Sequence, residues 1–289
     1  MRLRSLLFVP GDRPDRMAKA LSLEADALIL DLEDAVTPAR KDEARTAIAE
    51  VLAAPRDHGV TLLVRINQLD SPFIAADLAL VMRARPDALV LPKAEGEASI
   101  AVLDALAGDL PPILPIATET AKSVFALGSY AQVHSRLCGL TWGAEDLPAA
   151  IGATTSRDEA NKLLPPYEMI RSLTLFAAHA ADVPAIETVY PKISDNAGLA
   201  IYAAEAARDG FTGMMAIHPS QVPVINTAFT PTPTQIEHAH KILAAFAAQP
   251  TAGALQLDGK MIDAPHLKQA QSLLARLDRR PARANDAGA

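Results

Sequence analysis

Short apolar stretches alternate with longer amphipathic stretches along most of the chain. Eight short apolar stretches stand out, at residues 5–11, 27–32, 61–66, 88–91, 113–118, 137–142, 185–190 and 213–217. Their near-continuous apolar character is typical of strands that are buried on both faces of a parallel sheet. Most are followed by a stretch with helical spacing, at residues 14–21, 38–53, 72–83, 97–107, 123–130, 167–181 and 197–209.

This alternation of strands and helices predicts an α/β fold, specifically a (β/α)8 barrel of the TIM type. An open, doubly wound sheet is the alternative, but no Gly-x-Gly-x-x-Gly motif follows the first strand. The chain has 289 residues, of which 50% are hydrophobic. That length fits a barrel of about 250 residues with a short tail.

The pattern changes after residue 228. Residues 230–234 read Thr-Pro-Thr-Pro-Thr, which predicts a stiff polar turn or linker. A helix is predicted over residues 235–248, a hairpin-like loop turns on Asp258-Gly259, and a final helix covers residues 266–277. We therefore assign residues 1–228 to the barrel and residues 229–289 to a C-terminal extension of helices and a loop.

Charge and composition exclude several classes of protein. The net charge of −7 and the pI near 5.5 argue against a nucleic-acid-binding protein, which normally needs a basic surface. The single cysteine, Cys138, excludes an intramolecular disulfide, and its apolar surroundings predict a buried, unreactive thiol. The apolar N-terminal stretch is too short for a signal peptide, and no stretch approaches the roughly 20 apolar residues of a membrane span. We therefore expect a cytoplasmic protein that binds neither nucleic acid nor membranes.

Polar residues cluster where the predicted strands end, which is where a barrel places its reactive groups. They are Asp31, Glu33, Asp34, Arg65, Asn67, Lys93, Glu119, Glu145, Asp146, Lys192 and His218. Two successive strands are followed by an acid, Glu119 in one case and Asp146 in the other. Carboxylates without a second cysteine or a histidine pair suit Mg²⁺, or Mn²⁺ in its place, better than zinc.

Each of these residues also has a purely structural interpretation. Glu119 could form an ion pair at the barrel rim, and the pair Glu145-Asp146 could cap the helix that follows it. Asp31 and Glu33 share one face of their strand and could belong to a buried network with a cation. Arg65 lies inside an apolar strand, so it must be paired, and a guanidinium binds a carboxylate through two parallel hydrogen bonds.

Several short motifs occur together in a characteristic order. They are RSLLFVPG at residues 4–11, DLEDAV at 31–36, VRIN at 64–67, LPK at 91–93, ET at 119–120, GAEDL at 143–147, IHPSQ at 217–221 and GKMIDAP at 259–265. On these motifs, which cover nearly all of residues 2–275, the chain resembles the citrate lyase β-subunit-like family. That family includes malyl-CoA and citramalyl-CoA lyases. The resemblance also implies a (β/α)8 barrel.

The resemblance implies a Mg²⁺-dependent carbon–carbon lyase. Its substrate would be a short 3-hydroxyacyl-CoA such as malyl-CoA or citramalyl-CoA, cleaved to acetyl-CoA and a 2-oxo acid, with thioester hydrolysis as a further activity of the same site. One alternative is the β subunit of a citrate lyase complex, which acts on a citryl thioester of an acyl-carrier protein. Another is a barrel that acts on a phosphorylated substrate, as related phosphoenolpyruvate enzymes do.

The resemblance also assigns roles to individual residues. Glu119 and Asp146 would hold the metal, and Arg65 and Asp263 would be catalytic. The substrate would be bound by Arg65, Arg4, Glu33, Asp34 and Lys93, and coenzyme A by Arg4 and Lys19, with Arg13 and Arg16 as further candidates. Asp263 would lie on a C-terminal lid that reaches the site of a neighbouring subunit in a homotrimer or hexamer.

One position departs from the family pattern. Lys192 occupies a stretch that the family is expected to fill with apolar or acidic residues. A cation there would favour a substrate with a further carboxylate, or it could be paired on the surface.

Overall fold

Eight parallel strands form the centre of the computed structural model, which describes residues 1–55 and 59–277. They are β1 (Ser5–Pro10), β2 (Ala27–Asp31), β3 (Thr61–Arg65), β4 (Ala88–Leu91), β5 (Ile113–Pro115), β6 (Leu140–Thr141), β7 (Ala185–Glu187) and β8 (Gly213–Ala216). Each begins within a stretch that the apolar pattern predicted. The strands predicted at 113–118, 137–142 and 185–190 are markedly shorter in the structure, because their apolar stretches extend beyond the ladder.

The strand pairing closes these strands into a ring. β1 pairs in parallel with both β2 and β8, and the neighbours run in the order β5-β4-β3-β2-β1-β8-β7-β6. Parallel bridges between Ile113 and Leu137, and between Ile116 and Thr141, connect β5 to the β6 segment. The predicted (β/α)8 barrel is therefore confirmed, and the alternative of an open, doubly wound sheet is excluded.

Helices follow the strands and pack around the ring. They are α1 (Pro14–Ala20), α2 (Lys41–Ala53), α3 (Ile74–Ala84), α4 (Glu97–Leu106), α5 (Ala121–Ala126), α6 (Asp146–Ile151), α7 (Pro165–Ala180), α8 (Asn196–Asp209) and α9 (Gln221–Ala228). Short 3₁₀ segments cover Pro38–Arg40 and Leu127–Arg136. Two helices, α6 and α9, were not predicted from the periodicity. No helix in the described parts of the chain is both long and apolar enough to span a bilayer.

The apolar side chains of the barrel form two layers. One lies between the strands and the helices, and the other fills the barrel interior, with Leu6, Ile29, Leu63, Val90, Leu114, Ile186 and Met215 among its members. Full burial of such a side chain contributes about 1.5–3 kcal/mol to stability. This packed interior fixes the positions of the strand ends, which carry the charged residues.

The C-terminal extension has its own small apolar cluster. It consists of α10 (Pro233–Ala248), the antiparallel hairpin of β9 (Ala254–Leu257) and β10 (Lys260–Asp263), and α11 (Ala264–Ala275). Asp258 and Gly259 both have positive φ angles, 50° and 78°, as a two-residue hairpin turn requires. Buried residues from α10, β10 and α11 pack together, separately from the barrel layers. The last part of the predicted extension, residues 278–289, lies outside the described residues.

Candidate active site

A cavity of about 740 Å³ opens at the carboxyl ends of the strands. Its wall includes several of the predicted site residues, namely Lys19, Asp34, Arg65, Glu119 and Asp146, together with Asp31, Glu145 and His218. Arg16 of α1 also lines it. The volume is within the range of cavities that bind cofactors and small molecules, about 300–1,000 Å³.

Arg65, at the end of β3, is held by two carboxylates. Its Nε and Nη2 donate to the two carboxylate oxygens of Asp31, each at 2.7 Å, and its Nη1 lies 2.8 Å from Glu33 Oε2. The guanidinium also lies over the ring of Phe8, 4.8 Å from its centroid. Burial alone would lower the pKa of Arg65, but Asp31 and Glu33 raise it above its usual value. Arg65 therefore stays charged, with one N–H left on each terminal nitrogen for other partners.

Lys93 lies among the acids of the rim. Its Nζ is 2.7 Å from Glu33 Oε1, 3.5 Å from Asp146 Oδ1 and 3.9 Å from Asp34 Oδ2. Burial acts to lower the pKa of Lys93, but Glu33 and its neighbouring carboxylates raise it above its usual value. Its φ of 49° is in the left-handed region, a conformation that costs about 1–3 kcal/mol for a residue other than glycine. The contacts of its side chain and its amide maintain that conformation.

Glu119 follows β5 and is almost fully buried. Its Oε2 accepts a hydrogen bond of 2.6 Å from the backbone N–H of Lys93. Burial raises the pKa of Glu119 to about 8. The hydrogen bond from Lys93 acts to lower that pKa, and the nearby charge of Asp146 acts to raise it further. A Cβ at Gly143 would lie 2.6 Å from Glu119 Cγ, so a glycine is needed there to make room for the carboxylate side chain.

Asp146 is the first residue of α6 and lies on the strand tip next to that of Glu119. Its side chain is partly exposed and faces Lys93. Glu145 occupies the N-cap position and makes no side-chain capping hydrogen bond to any described residue. The structure therefore does not show the helix-capping role that the sequence left open for this pair, and both side chains line the cavity instead.

The donor set fits a hard divalent cation. Glu119 and Asp146 bring two carboxylates together from neighbouring strand tips, and the charge of Asp146 adds to the effect of burial in raising the pKa of Glu119. Within residues 1–55 and 59–277, no group of three or more acidic, histidine or cysteine side chains could enclose a metal. Mg²⁺ commonly uses one or two protein carboxylates and completes its shell with water and substrate oxygens. The residues present fit that mode of binding.

Arg4 is not brought to this cavity. It precedes β1, so it lies at the amino end of the barrel, and its Nε donates to Asp26 Oδ2 at 2.8 Å. Its Nη1 donates to Thr230 Oγ1 at 2.7 Å. We therefore correct the assignment of Arg4 to the substrate and coenzyme A in this chain's own cavity. Its guanidinium connects the start of β2 to the segment that leads into the C-terminal extension.

Asp263 and Lys192 also lie elsewhere. Asp263 precedes α11, where its carboxylate forms a capping box with His266, whose Nδ1 lies 2.5 Å from Asp263 Oδ1. Lys192 is exposed, and neither residue is among the described residues that line the cavity. Asp195 caps α8 by accepting a hydrogen bond of 2.9 Å from the N–H of Gly198, and that bond lowers its pKa.

Two groups of functional interest were not identified from the sequence. Glu187, at the end of β7, is fully buried and accepts hydrogen bonds of 2.6 Å from Trp142 Nε1 and Arg171 Nε. The sequence signal for Glu187 was an acid inside the apolar stretch 185–190. It is the same kind of signal as the cation Arg65 inside the apolar stretch 61–66. The second is Thr188, which lines the cavity, and a threonine in a strand carries no comparable signal. Cys138 is partly buried, less than the sequence suggested, but burial raises the pKa of its thiol to about 12, in agreement with the unreactive thiol that was expected.

Comparison with known proteins identifies the family. The sequence profile described as HpcH/HpaI aldolase/citrate lyase matches residues 4–219. The chain belongs to this family. This confirms the resemblance read from the ordered motifs, and it makes the protein an enzyme of the carbon–carbon lyase type.

Relatives and solved structures match nearly the whole chain. It is 37% identical to the mitochondrial citramalyl-CoA lyase of Rattus norvegicus, over 94% of this chain and 85% of the relative. It is 34% identical to the (3S)-malyl-CoA thioesterase of Cereibacter sphaeroides, over 95% and 94%. The structure of CitE from Mycobacterium tuberculosis in complex with magnesium, acetoacetate and coenzyme A matches with a TM-score of 0.80 and 36% identity, over 94% and 97%. The last alignment reaches beyond the barrel into the C-terminal extension.

Proposed function

We propose that this protein is a Mg²⁺-dependent carbon–carbon lyase that cleaves a short 3-hydroxyacyl-CoA, of the malyl-CoA or citramalyl-CoA type, to acetyl-CoA and a 2-oxo acid. The main observation is that Glu119 and Asp146, on adjacent strand tips, line the same cavity as Arg65. The names of the relatives, citramalyl-CoA lyase and malyl-CoA thioesterase, and a related structure with magnesium and coenzyme A support this assignment.

The reaction needs three kinds of assistance from the site. The 3-hydroxyl must lose its proton, the carbon–carbon bond must break with its electrons moving into the thioester, and the new methylene carbon must gain a proton. Mg²⁺ held by Glu119 and Asp146 would supply Lewis-acid polarisation of the oxo-acid oxygens. The remaining N–H groups of Arg65 are suited to stabilise negative charge on oxygen, because Asp31 and Glu33 already fix the orientation of the guanidinium.

The proton transfers are assigned to Asp263 of a neighbouring subunit. Within one chain Asp263 is outside the cavity wall. Among the described lining residues, the acid–base groups that belong neither to the metal site nor to the ion-pair network are His218 and Glu145, because Asp34 lies 3.9 Å from Lys93 Nζ. A lid formed by residues 229–289 of a second subunit would bring an additional carboxylate. The homotrimer or hexamer expected from the family resemblance is part of this proposal, and the cytoplasmic location stays a prediction.

Coenzyme A would approach along α1. Lys19 and Arg16 both line the cavity and carry no carboxylate partner among the ion pairs of the described residues. Two free cations at the cavity entrance suit a polyanionic cofactor. Glu33, Asp34 and Lys93 would act by keeping Arg65 and the metal ligands in place, because Glu33 bridges Arg65 and Lys93.

A panel of thioesters tests the proposal. Malyl-, citramalyl-, β-methylmalyl- and citryl-CoA would be incubated with the purified protein and Mg²⁺, and the 2-oxo acid and the free thiol would be measured separately. We expect 2-oxo acid that disappears when Mg²⁺ is chelated and in the Glu119→Gln variant. Free thiol in addition to oxo acid would show that hydrolysis follows cleavage.

The family includes citrate lyase, so the alternative is a subunit that acts on a citryl thioester of an acyl-carrier protein. This alternative predicts that the chain alone cleaves none of the CoA thioesters but cleaves the citryl thioester of a carrier protein. That result would contradict the stand-alone lyase. Failure with both kinds of thioester would overturn the lyase assignment as a whole.

A further inference from the structure

Thr188 is a buried residue in the wall of the cavity. It follows β7, is 1% exposed and lines the cavity wall. Its Oγ1 has no hydrogen-bond partner in the part of the chain that the structure describes. A buried hydroxyl without a partner lowers stability, so a partner supplied from the cavity is expected.

The backbone at Thr188 is held firmly. Its N–H donates to Glu187 Oε1 at 2.8 Å, and the Glu187 carboxylate is fixed by Trp142 and Arg171 at 2.6 Å each. Thr188 stands between Ile186, which belongs to the interior apolar cluster of the barrel, and Val189, which packs against the same cluster. The backbone of Thr188 therefore has a defined position at the top of the barrel interior.

The surroundings of Thr188 leave substrate oxygen as the natural acceptor. The parts of the cavity wall that follow β7 and come from β8 include the apolar residues Val189, Met215 and Ile217. In the ring, β7 lies opposite β3, so Thr188 and Arg65 face the cavity from opposite sides, and β6, which leads to Asp146, is adjacent to β7. The bidentate face of Arg65 is already occupied by Asp31. A substrate carboxylate or oxo group thus needs a further donor, and Thr188 can supply it.

We propose that the Thr188 hydroxyl donates a hydrogen bond to an oxygen of the 2-oxo-acid half of the substrate. This inference rests on the proposed lyase function and extends it by naming a substrate-binding residue. Thr188 would hold the half that leaves as the free acid, while the coenzyme A half would be bound elsewhere, along α1. Loss of the hydroxyl should therefore affect the two products differently.

The test compares Thr188→Val, which keeps the shape and removes the hydroxyl, with Thr188→Ser, which keeps the hydroxyl. Binding of pyruvate and of glyoxylate would be measured by calorimetry with saturating Mg²⁺, and binding of acetyl-CoA separately. We expect Thr188→Val to weaken oxo-acid binding and to lower kcat/KM by about tenfold to a hundredfold, the range for a hydrogen bond to a charged group. Acetyl-CoA binding should be unchanged, and Thr188→Ser should restore most of the oxo-acid affinity.

Thr141 provides a matched control. Its Oγ1 is also buried without a partner among the described residues, but Thr141 is in the ring below the cavity and does not line it. Thr141→Val should leave oxo-acid binding unchanged. Equal losses in Thr141→Val and Thr188→Val, or wild-type affinity in Thr188→Val, would overturn the inference and leave the lyase function standing. A wild-type protein that binds no oxo acid and cleaves no thioester would instead overturn the proposed function.

Discussion

At the scale of single residues, the candidate site contains more carboxylates than cations. The carboxylates of the ion-pair network at the rim are those of Asp31, Glu33, Asp34, Glu119 and Asp146, and the cations among them are Arg65 and Lys93. The cavity wall adds one further acid, Glu145, and two further cations, Arg16 and Lys19. A buried carboxylate without a counter-charge is costly, and it responds by taking up a proton. The raised pKa of Glu119 is that response, and a divalent cation would remove the need for it.

Metal binding should depend on both strand-tip acids. We predict that Glu119→Gln and Asp146→Asn each weaken Mg²⁺ or Mn²⁺ binding by at least about a hundredfold, because loss of a residue outside the metal shell already costs about 10- to 100-fold. Isothermal titration calorimetry measures the affinity, and circular dichroism checks the fold. Asp42→Asn, which changes an exposed acid of α2 that pairs with Arg45 and does not line the cavity, is the control and should keep the wild-type affinity. Wild-type affinity in either of the first two variants would remove that residue from the metal site.

The pKa of Glu119 predicts how stability changes with pH in the metal-free protein. Its pKa is about 8 in the fold and 4.5 ordinarily, so the folded state binds a proton that the unfolded state has lost between these values. The stabilising contribution is complete below about pH 4.5 and is lost as the pH rises through 8. Urea unfolding in EDTA at pH 6 and pH 9 should show a larger loss of stability in the wild type than in Glu119→Gln. Equal losses in the two proteins would contradict the prediction.

At the scale of elements, the turn after β6 must leave room for the side chain after β5. A Cβ at Gly143 would lie 2.6 Å from Glu119 Cγ, closer than non-bonded carbon atoms approach each other. We predict that Gly143→Ala displaces Glu119 and abolishes metal-dependent activity, while the protein stays folded. Gly108→Ala, where nothing described lies within 4 Å of the new Cβ, is the control and should keep full activity. An active Gly143→Ala variant would show that the Glu119 position is not critical.

A buried acid of α3 fastens the end of β3. Asp77 is fully buried and accepts hydrogen bonds from the N–H and Nδ2 of Asn67 and from Arg45 Nε, at 2.8, 2.6 and 2.7 Å. Asn67, which the sequence suggested for the site, thus serves to anchor the β3 tip.

We predict that Asp77→Ala lowers the free energy of unfolding by about 3–5 kcal/mol, since it leaves Arg45 and the Asn67 amide without their buried partner. Denaturant unfolding measures this. Asp42→Ala removes the other carboxylate that pairs with Arg45, but it is 99% exposed and should have little effect. Similar losses in the two variants would show that burial does not govern the contribution of these pairs.

At the scale of the whole molecule, the barrel and the C-terminal extension have separate apolar clusters, and the cavity of one chain lacks Asp263. If sites are shared between subunits, inactive variants should complement each other. We predict that Glu119→Gln and Asp263→Asn are each inactive, and that mixing them after dissociation and reassembly restores part of the activity.

The double variant with both changes in one chain, mixed with itself, supplies the control for this complementation and should stay inactive. Light scattering would give the oligomeric state of each mixture. No recovery in mixtures of proven mixed composition would contradict the shared site.

The apolar pattern predicted the barrel because a strand that is buried on both faces has a near-continuous apolar sequence. That sequence can be recognised without knowing which strands lie beside it. The same pattern missed α6 and α9, since short helices such as Asp146–Ile151 depend on packing at the rim more than on periodicity. It also could not show that Arg4 pairs with Asp26 at the amino end of the barrel, a contact across 22 residues of sequence.

The amino-acid sequence by itself determined the order of strands and helices, the acids at the strand tips and the family, because these are properties of local composition and spacing. Tertiary structure alone decided which of these acids line the same cavity and which form ion pairs with cations. Arg65 and Asp31 meet because β2 and β3 are paired in register, and Glu119 is buried because Gly143 of the next strand tip leaves space for it. Such contacts depend on the closed ring, which brings together side chains that lie far apart along the chain.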